Sequence, residues 1–445
     1  MKKINYYDKE INLIYSVDTV VVGGGTAGAV AAISSAKSGN KTLVVEKHIS
    51  LGGTQTNALV TPMMPTYVDN FEINTLIVKE LEKLGCNTDD KKSKCSWFNV
   101  ENLVYVLEKL ILKYNAEILY DANLVDVIKE EDRIKYIIVN TIEGLVAIEG
   151  KNFVDATGDA LLSRLSKVKV VSGDENGNNQ MVSFRFEVGG IDVDKLRKYM
   201  KSLGDTFCTL EEGEFYEIAM VRDKGFVLEP IFKKALSEGV LIEEDLRYFQ
   251  GFTIPNKRNC MSFNCPHIPG VNNNTDAITR SKAVIKGREM INRLINFMKL
   301  YLPGFEEAFL LREASALGVR ESYRILGEYI LNEEDYLNRA RFEDGIARGD
   351  WYIDVHSVTN KSGKEYRYEK GEYYEIPYRC LITKDVRNLI VVGRCISSTF
   401  LVQASIRIQP TLRDLGEIAG EACAYSIKNN IDLNKINGKV FRKFR

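Results

Sequence analysis

Hydrophobic and polar positions along this chain follow two alternating periods. Short apolar runs rich in β-branched residues, such as TVVV and TLVV near the amino terminus, predict buried strands. Longer segments at 72–85 and 99–114 carry apolar residues at helical spacing, for example Leu103, Val106 and Leu107, and predict helices packed on a sheet. This mixture of periods is typical of an α/β protein.

A glycine motif connects the first of these strands to the helix that follows it. The segment carries G-x-G-x-x-G at Gly23, Gly25 and Gly28, and Glu46 closes the second apolar run. In dinucleotide-binding turns the three glycines allow, in order, a tight turn, close approach to a pyrophosphate and close helix–strand packing. Free amides at the helix start bind the diphosphate, and the acid accepts hydrogen bonds from the adenosine ribose. The predicted dinucleotide site also includes Gly24, Thr26, Ala27 and Lys47.

Other interpretations of this segment stay open. The glycines could serve only packing in a buried strand–helix pair, or they could bind a nucleotide of another kind. The uncharged stretch 19–36 is also long enough to raise the question of a membrane span. Three consecutive glycines with Thr26, Ser34 and Ser35 lower its hydrophobicity, and no basic leader precedes it. A strand and a helix are therefore the better interpretation.

Composition and charge narrow the class of protein. The 445 residues are enough for two or three domains, and 60 basic against 61 acidic residues leave a formal net charge of -1. This balance gives no general attraction to nucleic acid or to an anionic membrane, so we expect neither as a partner. Eight cysteines are scattered without a secretory leader, which favours reduced thiols and a cytoplasmic location.

From about residue 117 to 155 the pattern changes to consecutive strands. The segments EILYDANLVDVI, RIKYIIVNT and GLVAIEGKNFVDAT are separated by charged or glycine turns and predict an antiparallel meander. A plain NAD dehydrogenase domain does not need such an insertion after its β-α-β start. The FAD-binding domain of the glutathione reductase type contains one.

The chain resembles a bacterial group of FAD-dependent oxidoreductases in the glutathione reductase-like flavoprotein class. The resemblance covers roughly residues 18–427 and is carried by blocks in the same order, namely LGGTQTNALVTP, VDATGDALL, MVSFRFEVGGID, ALGVRESYRILGEYIL, IPYRCLITKDVRNLIVVGRCISST and SIRIQPT. It implies an α/β fold with a Rossmann-type FAD-binding domain and a mixed α+β substrate cap. We expect the FAD-binding domain at 1–165 with its closing segment at 376–445, and the cap at 166–375.

Two of these blocks add contacts to the expected FAD site. The LGGTQT loop exposes amides through Gly52 and Gly53 for the phosphates and the flavin edge, although an ordinary glycine turn would also explain these residues. VDATGDA puts Gly158 after a strand, where the family has its second dinucleotide contact. In the family, the adenine edge is held by the backbone of a strand that would include Val125. The same two blocks also contribute Thr54 and Ala156 to the expected site.

The carboxy-terminal block is expected to close the flavin end. The strand NLIVVGR ends in Gly393 and Arg394, where the wider class commonly has glycine and an aspartate that holds the ribityl chain. Arg394 removes that contact and suggests a charge-assisted bond to phosphate instead. A helix from about Pro410 follows, and its positive end near Thr411 would stabilise the negative charge of a reduced flavin. The same segment could equally be a terminal core helix.

The cap region contains mixed strand signals and a long amphipathic helix at 279–300, but no second G-x-G-x-x-G. A dedicated NAD(P)H domain of the disulfide reductase kind is therefore not expected. The resemblance implies an enzyme that transfers a hydride between a small organic substrate and flavin N5. Two alternatives stay open: an NAD-dependent dehydrogenase, and a flavoprotein that uses FAD in a structural or nucleic-acid-modifying role.

Histidines and arginines supply the catalytic candidates. His356 is the first choice for proton transfer beside the flavin, with a hydrogen-bonded structural histidine as the alternative. His267 lies in a turn that borders the site, and His48 lies in the cofactor loop. Arg320, in GVRESYRI, suits an anchor for a carboxylate or other oxygen-rich substrate, unless the charges of this block form only a structural ion-pair network. Further candidates are Arg407, Tyr378 and Arg379.

Cysteine spacing suggests one more site, which we reject. Cys260 and Cys265 form C-x4-C, the spacing used by redox-active disulfides. In disulfide reductases that pair follows the LGG loop directly, where this chain has Thr54, Gln55 and Thr56. We therefore expect no redox role for these cysteines. With three histidines and no clustered ligand spacing, we also expect no metal site.

Overall fold

The structure is a computed structural model that describes residues 2–89, 96–208, 215–356 and 368–444. Its strands, in chain order, are β1 Lys3–Tyr6, β2 Lys9–Val22, β3 Thr42–Val45, β4 Pro62–Met63, β5 Asn87–Asp89, β6 Ser96–Phe98, β7 Glu117–Leu119, β8 Asn123–Glu130, β9 Arg133–Thr141, β10 Gly144–Asp155, β11 Val170–Ser172, β12 Phe186–Gly189, β13 Glu217–Val221, β14 Tyr248–Ile254, β15 Lys257–Phe263, β16 Phe309–Glu313, β17 Tyr323–Ile325, β18 Gly345–Gly349, β19 Tyr374–Pro377 and β20 Leu389–Val391. Its α-helices are α1 Thr26–Lys37, α2 Glu72–Lys83, α3 Val100–Lys113, α4 Leu161–Leu165, α5 Val193–Ser202, α6 Glu229–Ser237, α7 Ala277–Tyr301, α8 Glu333–Leu337, α9 Phe400–Ile406 and α10 Gln409–Asn429.

One mixed sheet carries the glycine turn. Its order is β7-β3-β2-β10-β9-β8, with β1 beside β2 and β20 beside β10. Strands β7, β3, β2, β10 and β20 run parallel, whereas β10, β9 and β8 form an antiparallel meander. The meander predicted from residue 117 onward is present, except that its first segment splits into β7, which joins the parallel half, and β8.

The parallel strands end at one level of this sheet. Val22 of β2 pairs with Val45 of β3 and with Asp155 of β10, and Asp155 pairs with Val391 of β20. The loops that follow these strands therefore emerge side by side at the carboxyl edge of the sheet. In α/β proteins ligands bind in the crevice outside this edge.

The turn from β2 to α1 is too tight for side chains. A Cβ atom on Gly23 would lie 2.6 Å from the carbonyl oxygen of Ala156, and one on Gly28 would lie 1.9 Å from the carbonyl oxygen of Gly23. Glycine at both positions lets the helix pack directly against the strands.

Helix α10 lies along α1 with the same closeness. A Cβ atom on Gly416 would lie 2.3 Å from the carbonyl oxygen of Ala27, and one on Gly420 would lie 2.4 Å from that of Ala31. The close-packing face predicted for the helix after Pro410 is therefore present. It joins the carboxy-terminal segment to the first helix of the chain.

The two other helices predicted near the amino terminus form one or two residues shorter than their pattern, as α2 and α3. The side chain of Asn99 caps α3 by accepting a hydrogen bond from the amide of Glu101 at 3.1 Å. The apolar side of α3, including Leu103 and Leu107, is buried in the same core as α1 and α10. Amphipathic spacing therefore identified the helices that cover the sheet.

The region predicted as the cap contains a five-stranded antiparallel sheet in the order β13-β14-β15-β12-β16. Aromatic rings fill its core: Phe186 stacks on Phe263 at 4.9 Å, and Phe232 of α6 meets Phe249 of the sheet at 5.2 Å and Phe297 of α7 at 4.3 Å. Helix α7 extends the predicted 279–300 segment at both ends.

Strands β18 and β19 pair across position 375, where the sequence places the boundary between cap and closing segment. The division of the chain into domains stays a prediction.

Across the described ranges, no helix is long and apolar enough to cross a lipid bilayer.

Candidate active site

One cavity of about 770 Å³ lies between the carboxyl edge of the mixed sheet and the cap. This volume is in the range of small-molecule and cofactor sites. The predicted site residues that line it are Gly23, Gly25, Thr26, Ala27, Glu46, Lys47, Gly53, Thr54, Ala156, Gly158, Arg320, His356, Gly393, Arg394 and Arg407. The predicted site residues that lie outside the lining are Gly24, Gly28, Gly52, Val125, Thr411, Tyr378 and Arg379.

The start of α1 presents a positive helix end to the cavity. Its N-cap, Gly25, offers no side-chain cap, and no acidic residue lies in the first turn. Thr26 and Ala27 follow directly and line the cavity. Uncapped amides at a helix start bind anions, so this wall fits a diphosphate.

The LGGTQT loop lies against this turn. Gly25 and Gly52 form a parallel β-bridge, and the amide of Gly52 donates to the carbonyl oxygen of Gly24 at 2.8 Å. A Cβ atom on Gly53 would lie 2.8 Å from the Cα atom of Gly25. Loop and turn therefore form one surface walled by glycine, in which Gly53 and Thr54 reach the cavity and Gly52 holds the loop in place.

Glu46 holds the glycine turn to the end of β3. Its Oε2 atom accepts a hydrogen bond from the amide of Gly24 at 2.6 Å, and its Oε1 atom accepts one from the amide of His48 at 3.0 Å. The same carboxylate lines the cavity, and its contact with a ribose stays a prediction. Burial lowers the pKa of His48, which lines the cavity beside it, so a neutral imidazole stands there at neutral pH.

Arg394 is bound by Asp159, a residue that the sequence analysis missed. Nη2 of Arg394 donates a hydrogen bond to Oδ1 of Asp159 at 2.8 Å. Arg280 donates to both oxygens of the same carboxylate, at 3.0 and 3.1 Å, and the hydroxyl of Ser322 donates to it at 2.6 Å. Burial raises the pKa of Asp159, but the two arginines outweigh burial and hold it well below its ordinary value. The charge of Arg394 is therefore shared with a carboxylate, and a bond to phosphate stays a prediction. The acid directly after Gly158 in VDATGDA was the available signal.

Tyr378 and Arg379 do not reach the cavity. Tyr378 is fully buried, and its hydroxyl donates to the carbonyl oxygen of Leu433 at 3.0 Å. Arg379 forms a two-pronged pair with Asp344 at 2.9 and 3.1 Å. After β19 the chain turns into a short 3-10 helix, so both side chains make structural contacts instead. A catalytic role for these two residues finds no support in their position.

Two predicted cofactor residues lie beside the lining. Val125 of β8 is 40% exposed, and its neighbour Leu124 lines the cavity. Thr411 is buried in α10, whereas Gln409 and Leu412 of the same helix line the cavity. The sequence located the strand and the helix but not the residue on each that faces the cavity.

The cap end of the cavity holds a cluster of buried and half-buried charged side chains. Backbone pairing assembles it: Ser183 forms β-bridges with His267 and Gly318, and the amide of Met181 donates to the carbonyl oxygen of His356 at 2.9 Å. The titratable residues that line this end are Arg185, Glu217, Arg320, Asp354, His356 and Arg407.

His356 and Asp354 form a pair within this cluster. Nε2 of His356 lies 3.3 Å from Oδ2 of Asp354, and Arg407 donates to the same oxygen at 3.3 Å. Burial and the nearby Arg320 lower the pKa of His356 to about 4, and the attraction of Asp354 offsets this only in part. His356 is therefore neutral at neutral pH and able to accept a proton.

His267 stands behind the cavity wall and contacts Arg320. Nη2 of Arg320 lies 3.0 Å from Nε2 of His267, and Nη1 donates to the carbonyl oxygen of Met181 at 2.8 Å. Burial and the charge of Arg320 lower the pKa of His267 well below its ordinary value, so a neutral ring accepts from the guanidinium. The ring also stacks on Tyr248 and meets His356 edge to face. The border position predicted for His267 is thus one layer behind the lining.

Glu321 and Arg324 form a buried ion pair with each other. Neither residue lines the cavity. The structural ion-pair network considered as an alternative for this block therefore lies beside Arg320 and does not include its guanidinium.

Cys260 and Cys265 are free thiols. Burial raises the pKa of both, to about 12 for Cys265, so neither is a thiolate at neutral pH. In the part of the chain that the structure describes, no three His, Cys, Asp or Glu side chains are grouped to hold a metal ion.

Comparison with known proteins gives relatives that match part of this chain and a family that matches nearly all of it. Dihydrolipoyl dehydrogenase of Schizosaccharomyces pombe is 28% identical over 207 residues, which cover 45% of this chain and 37% of that protein. Thiamine thiazole synthase of Methanococcus vannielii is 29% identical over 157 residues, which cover 33% of this chain and 57% of that protein. The chain thus spans less than two thirds of the length of either relative. The family described as FAD dependent oxidoreductase matches residues 18–444.

Two solved structures share the fold. A p-nitrophenol 4-monooxygenase from Pseudomonas putida has a TM-score of 0.51 at 10% identity, over 96% of this chain and 84% of that one. A geranylgeranyl bacteriochlorophyll reductase-like protein from Thermoplasma acidophilum has a TM-score of 0.50 at 14% identity, over 94% and 80%. At these identities the likeness shows the fold alone. The family match covers nearly the whole chain and both walls of the cavity, so this chain belongs to the FAD-dependent oxidoreductase family, and its cofactor is FAD.

Proposed function

We propose that this chain transfers a hydride between a small organic substrate and N5 of FAD, as a member of the glutathione reductase-like class with residues 166–375 as the substrate cap. The observation that carries the proposal is the continuity of the cavity. One volume joins the glycine-walled turn at the sheet edge to the pair of His356 and Asp354 at the cap. A cofactor and a substrate held in one cavity can meet without a separate domain to carry the hydride.

The residues at the sheet edge fit FAD. Glycine leaves the wall free of side chains, and Thr26 and Ala27 follow the uncapped helix start that suits the diphosphate. Glu46 lies on the cavity for the ribose, and Gln409 at the start of α10 lies on it for the flavin end. When bound there, FAD supplies the electron-accepting chemistry.

The residues at the cap end fit a proton acceptor. His356 is neutral at neutral pH because burial and Arg320 lower its pKa to about 4. Asp354 holds the imidazole ring of His356, and Arg407 in turn holds the carboxylate of Asp354. A neutral base serves the direction in which the substrate is oxidised, because His356 then takes the proton as the hydride leaves the same molecule.

The proposal needs a small-molecule substrate and invokes neither nucleic acid nor a membrane. The cavity of about 770 Å³ is of the size that small-molecule and cofactor sites have.

An anaerobic screen of organic substrates, followed by the loss of flavin absorbance, tests the proposal. We expect at least one substrate class to bleach the flavin in a single turnover, and photoreduced protein to be reoxidised on mixing with an acceptor. A flavin that no donor bleaches and no acceptor reoxidises would indicate a structural role. Purified protein that neither retains nor takes up a flavin would overturn the proposal entirely.

A further inference from the structure

We infer that the substrate is a small organic acid whose carboxylate binds between Arg185 and Arg320 at the cap end of the cavity. The inference rests on the proposed function, because it concerns the substrate of the same site. It assigns a role to Arg185, which the sequence did not single out.

Arg185 is a buried cation without an acidic partner among the residues that the structure describes. Arg185 is only 6% exposed and lines the cavity. Its Nη1 atom donates a hydrogen bond to the carbonyl oxygen of Leu59 at 3.1 Å. Its Nε atom finds no hydrogen-bond partner among the described residues, and the described ion pairs do not include it. A buried charge held by one neutral carbonyl is expensive, so the site is incomplete without an anion.

The described hydrogen bonds of Arg320 also go to neutral acceptors. Its two terminal nitrogens contact the carbonyl oxygen of Met181 and the imidazole of His267. Burial, followed by the charges of Arg407 and Arg185, lowers the pKa of Arg320 to about 9, and the negative charge of Asp354 opposes this only in part. Arg185, Arg320 and Arg407 line the same end of the cavity, and a negative ligand there relieves their mutual repulsion.

Of the two acids at this end of the cavity, Asp354 has a cationic partner in Arg407. Asp354 is paired with His356 and Arg407, and Glu217 accepts a hydrogen bond from Gln250 at 2.6 Å. Of the three arginines at this end, Arg407 is in an ion pair, whereas the described ion pairs include neither Arg185 nor Arg320, which are thus available to a ligand. A guanidinium presents parallel N–H donors that match the two oxygens of a carboxylate.

The placement also orients the ligand for the chemistry. Arg320 contacts His267 on one side, and the ring of His267 meets that of His356 at 5.1 Å. A carboxylate held by Arg320 therefore keeps the rest of a small molecule beside His356, the proposed proton acceptor.

Calorimetric titration of the oxidised, FAD-loaded protein with acetate and succinate tests the inference, with acetamide as the neutral isostere of acetate. We expect the two carboxylates to bind and acetamide not to bind. Arg185→Gln and Arg320→Gln should each weaken carboxylate binding about tenfold or more, because each leaves the partner charge without its hydrogen bonds. Arg288→Gln is the matched control and should bind as the parent protein does. Its side chain is 54% exposed, pairs with Glu313 and lies outside the cavity lining.

Flavin content, read from the absorbance spectrum, shows that each variant is folded. If Arg185→Gln loses its flavin, Arg185→Lys is used instead. Lysine keeps the positive charge but lacks the parallel N–H donors of the guanidinium, so this variant should still bind acetate more weakly than the parent protein. Equal binding of acetate and acetamide, or carboxylate binding unchanged in the arginine variants, would overturn the inference. A neutral substrate that bleaches the flavin would overturn it while supporting the proposed hydride transfer. Carboxylate binding by a protein whose flavin no organic acid in the substrate screen bleaches would instead count against the hydride transfer.

Discussion

The two ends of the cavity are built from different parts of the chain. At the sheet edge the wall is backbone, because Gly23, Gly25 and Gly53 leave no side chain between the chain and a ligand. At the cap end the wall consists of charged side chains such as Arg185 and Arg320. Backbone amides recognise features common to all dinucleotides, whereas side chains select among small molecules. The difference separates recognition of the cofactor from selection of the substrate.

A side chain placed in the backbone end should have the largest effect. In Gly23→Ala the new Cβ atom would meet the carbonyl oxygen of Ala156 at 2.6 Å, and the overlap should cost about 1–3 kcal/mol. We expect this variant to be isolated without flavin, as measured by the ratio of flavin to protein absorbance. Gly39→Ala is the matched control: Gly39 has the same φ of 96°, but nothing lies within 4 Å of its added Cβ. Loss of flavin from both variants would contradict the argument from close approach.

Removal of the proton acceptor should have the next largest effect, and only at the cap end. We expect His356→Ala to slow substrate-dependent flavin bleaching by about 10²–10⁴-fold while flavin content stays at the parent level. Stopped-flow absorbance under anaerobic conditions measures both. Asp354→Asn should slow the same step less, because it alters the position of the ring and leaves the base present. Rates in His356→Ala that match the parent across pH would refute the assignment.

Asp159 tests whether the two ends depend on each other. Its carboxylate binds Arg394 from the sheet edge and Arg280 from the cap, and its side chain is 21% exposed. We expect Asp159→Asn to lower the free energy of unfolding by about 1–3 kcal/mol, less than for a fully buried pair. Asp132→Asn breaks an exposed pair with Arg387 and should lower the free energy of unfolding less than Asp159→Asn does in the same denaturant titration. If the two variants lose equal free energy of unfolding, the ion pairs of Asp159 stabilise the protein no more than an exposed surface pair does.

The smallest expected effect is a shift in pH dependence. Proton acceptance requires neutral His356, so the kcat/KM for substrate oxidation should fall as pH drops through its pKa of about 4. The positive charge of Arg320 is one cause of that low pKa, so Arg320→Gln should move the fall to higher pH, toward the ordinary value of 6.5. The midpoint of the acidic limb is the measurement, and the absolute rate is not. A midpoint that stays fixed or moves to lower pH would contradict this account, and Arg288→Gln should leave it unchanged.

The sequence predicted the backbone end better than the cap end, for a physical reason. The fingerprint at Gly23, Gly25 and Gly28 is local: strand, turn and helix are consecutive, so spacing alone indicates their geometry. The meander and helices α2 and α3 follow equally from their periodicity. The sequence could not predict which residue of α10 faces the cavity. Whether Thr411 or Leu412 does so depends on how the helix is rotated about its axis.

The cap end is assembled from segments far apart in the chain. Arg185 precedes β12 in an apolar block, and only the pairing of its segment with those of His267 and Gly318 brings it to the cavity. Tyr378 and Arg379 show the opposite failure, because a distinctive block placed them near the closing strand and the fold turned their side chains elsewhere. No local pattern encodes such long-range register.

The pairing of Phe153 with Leu389 has a consequence for how the protein is made. A nascent chain exposes the unpaired edge of β10 until β20 has left the ribosome, and α1 lacks the helix that covers it until α10 follows. Contacts this distant in sequence form late and slowly. We therefore expect cofactor loading to be a post-translational event, and the interval before it to be the time when the chain most needs protection from aggregation.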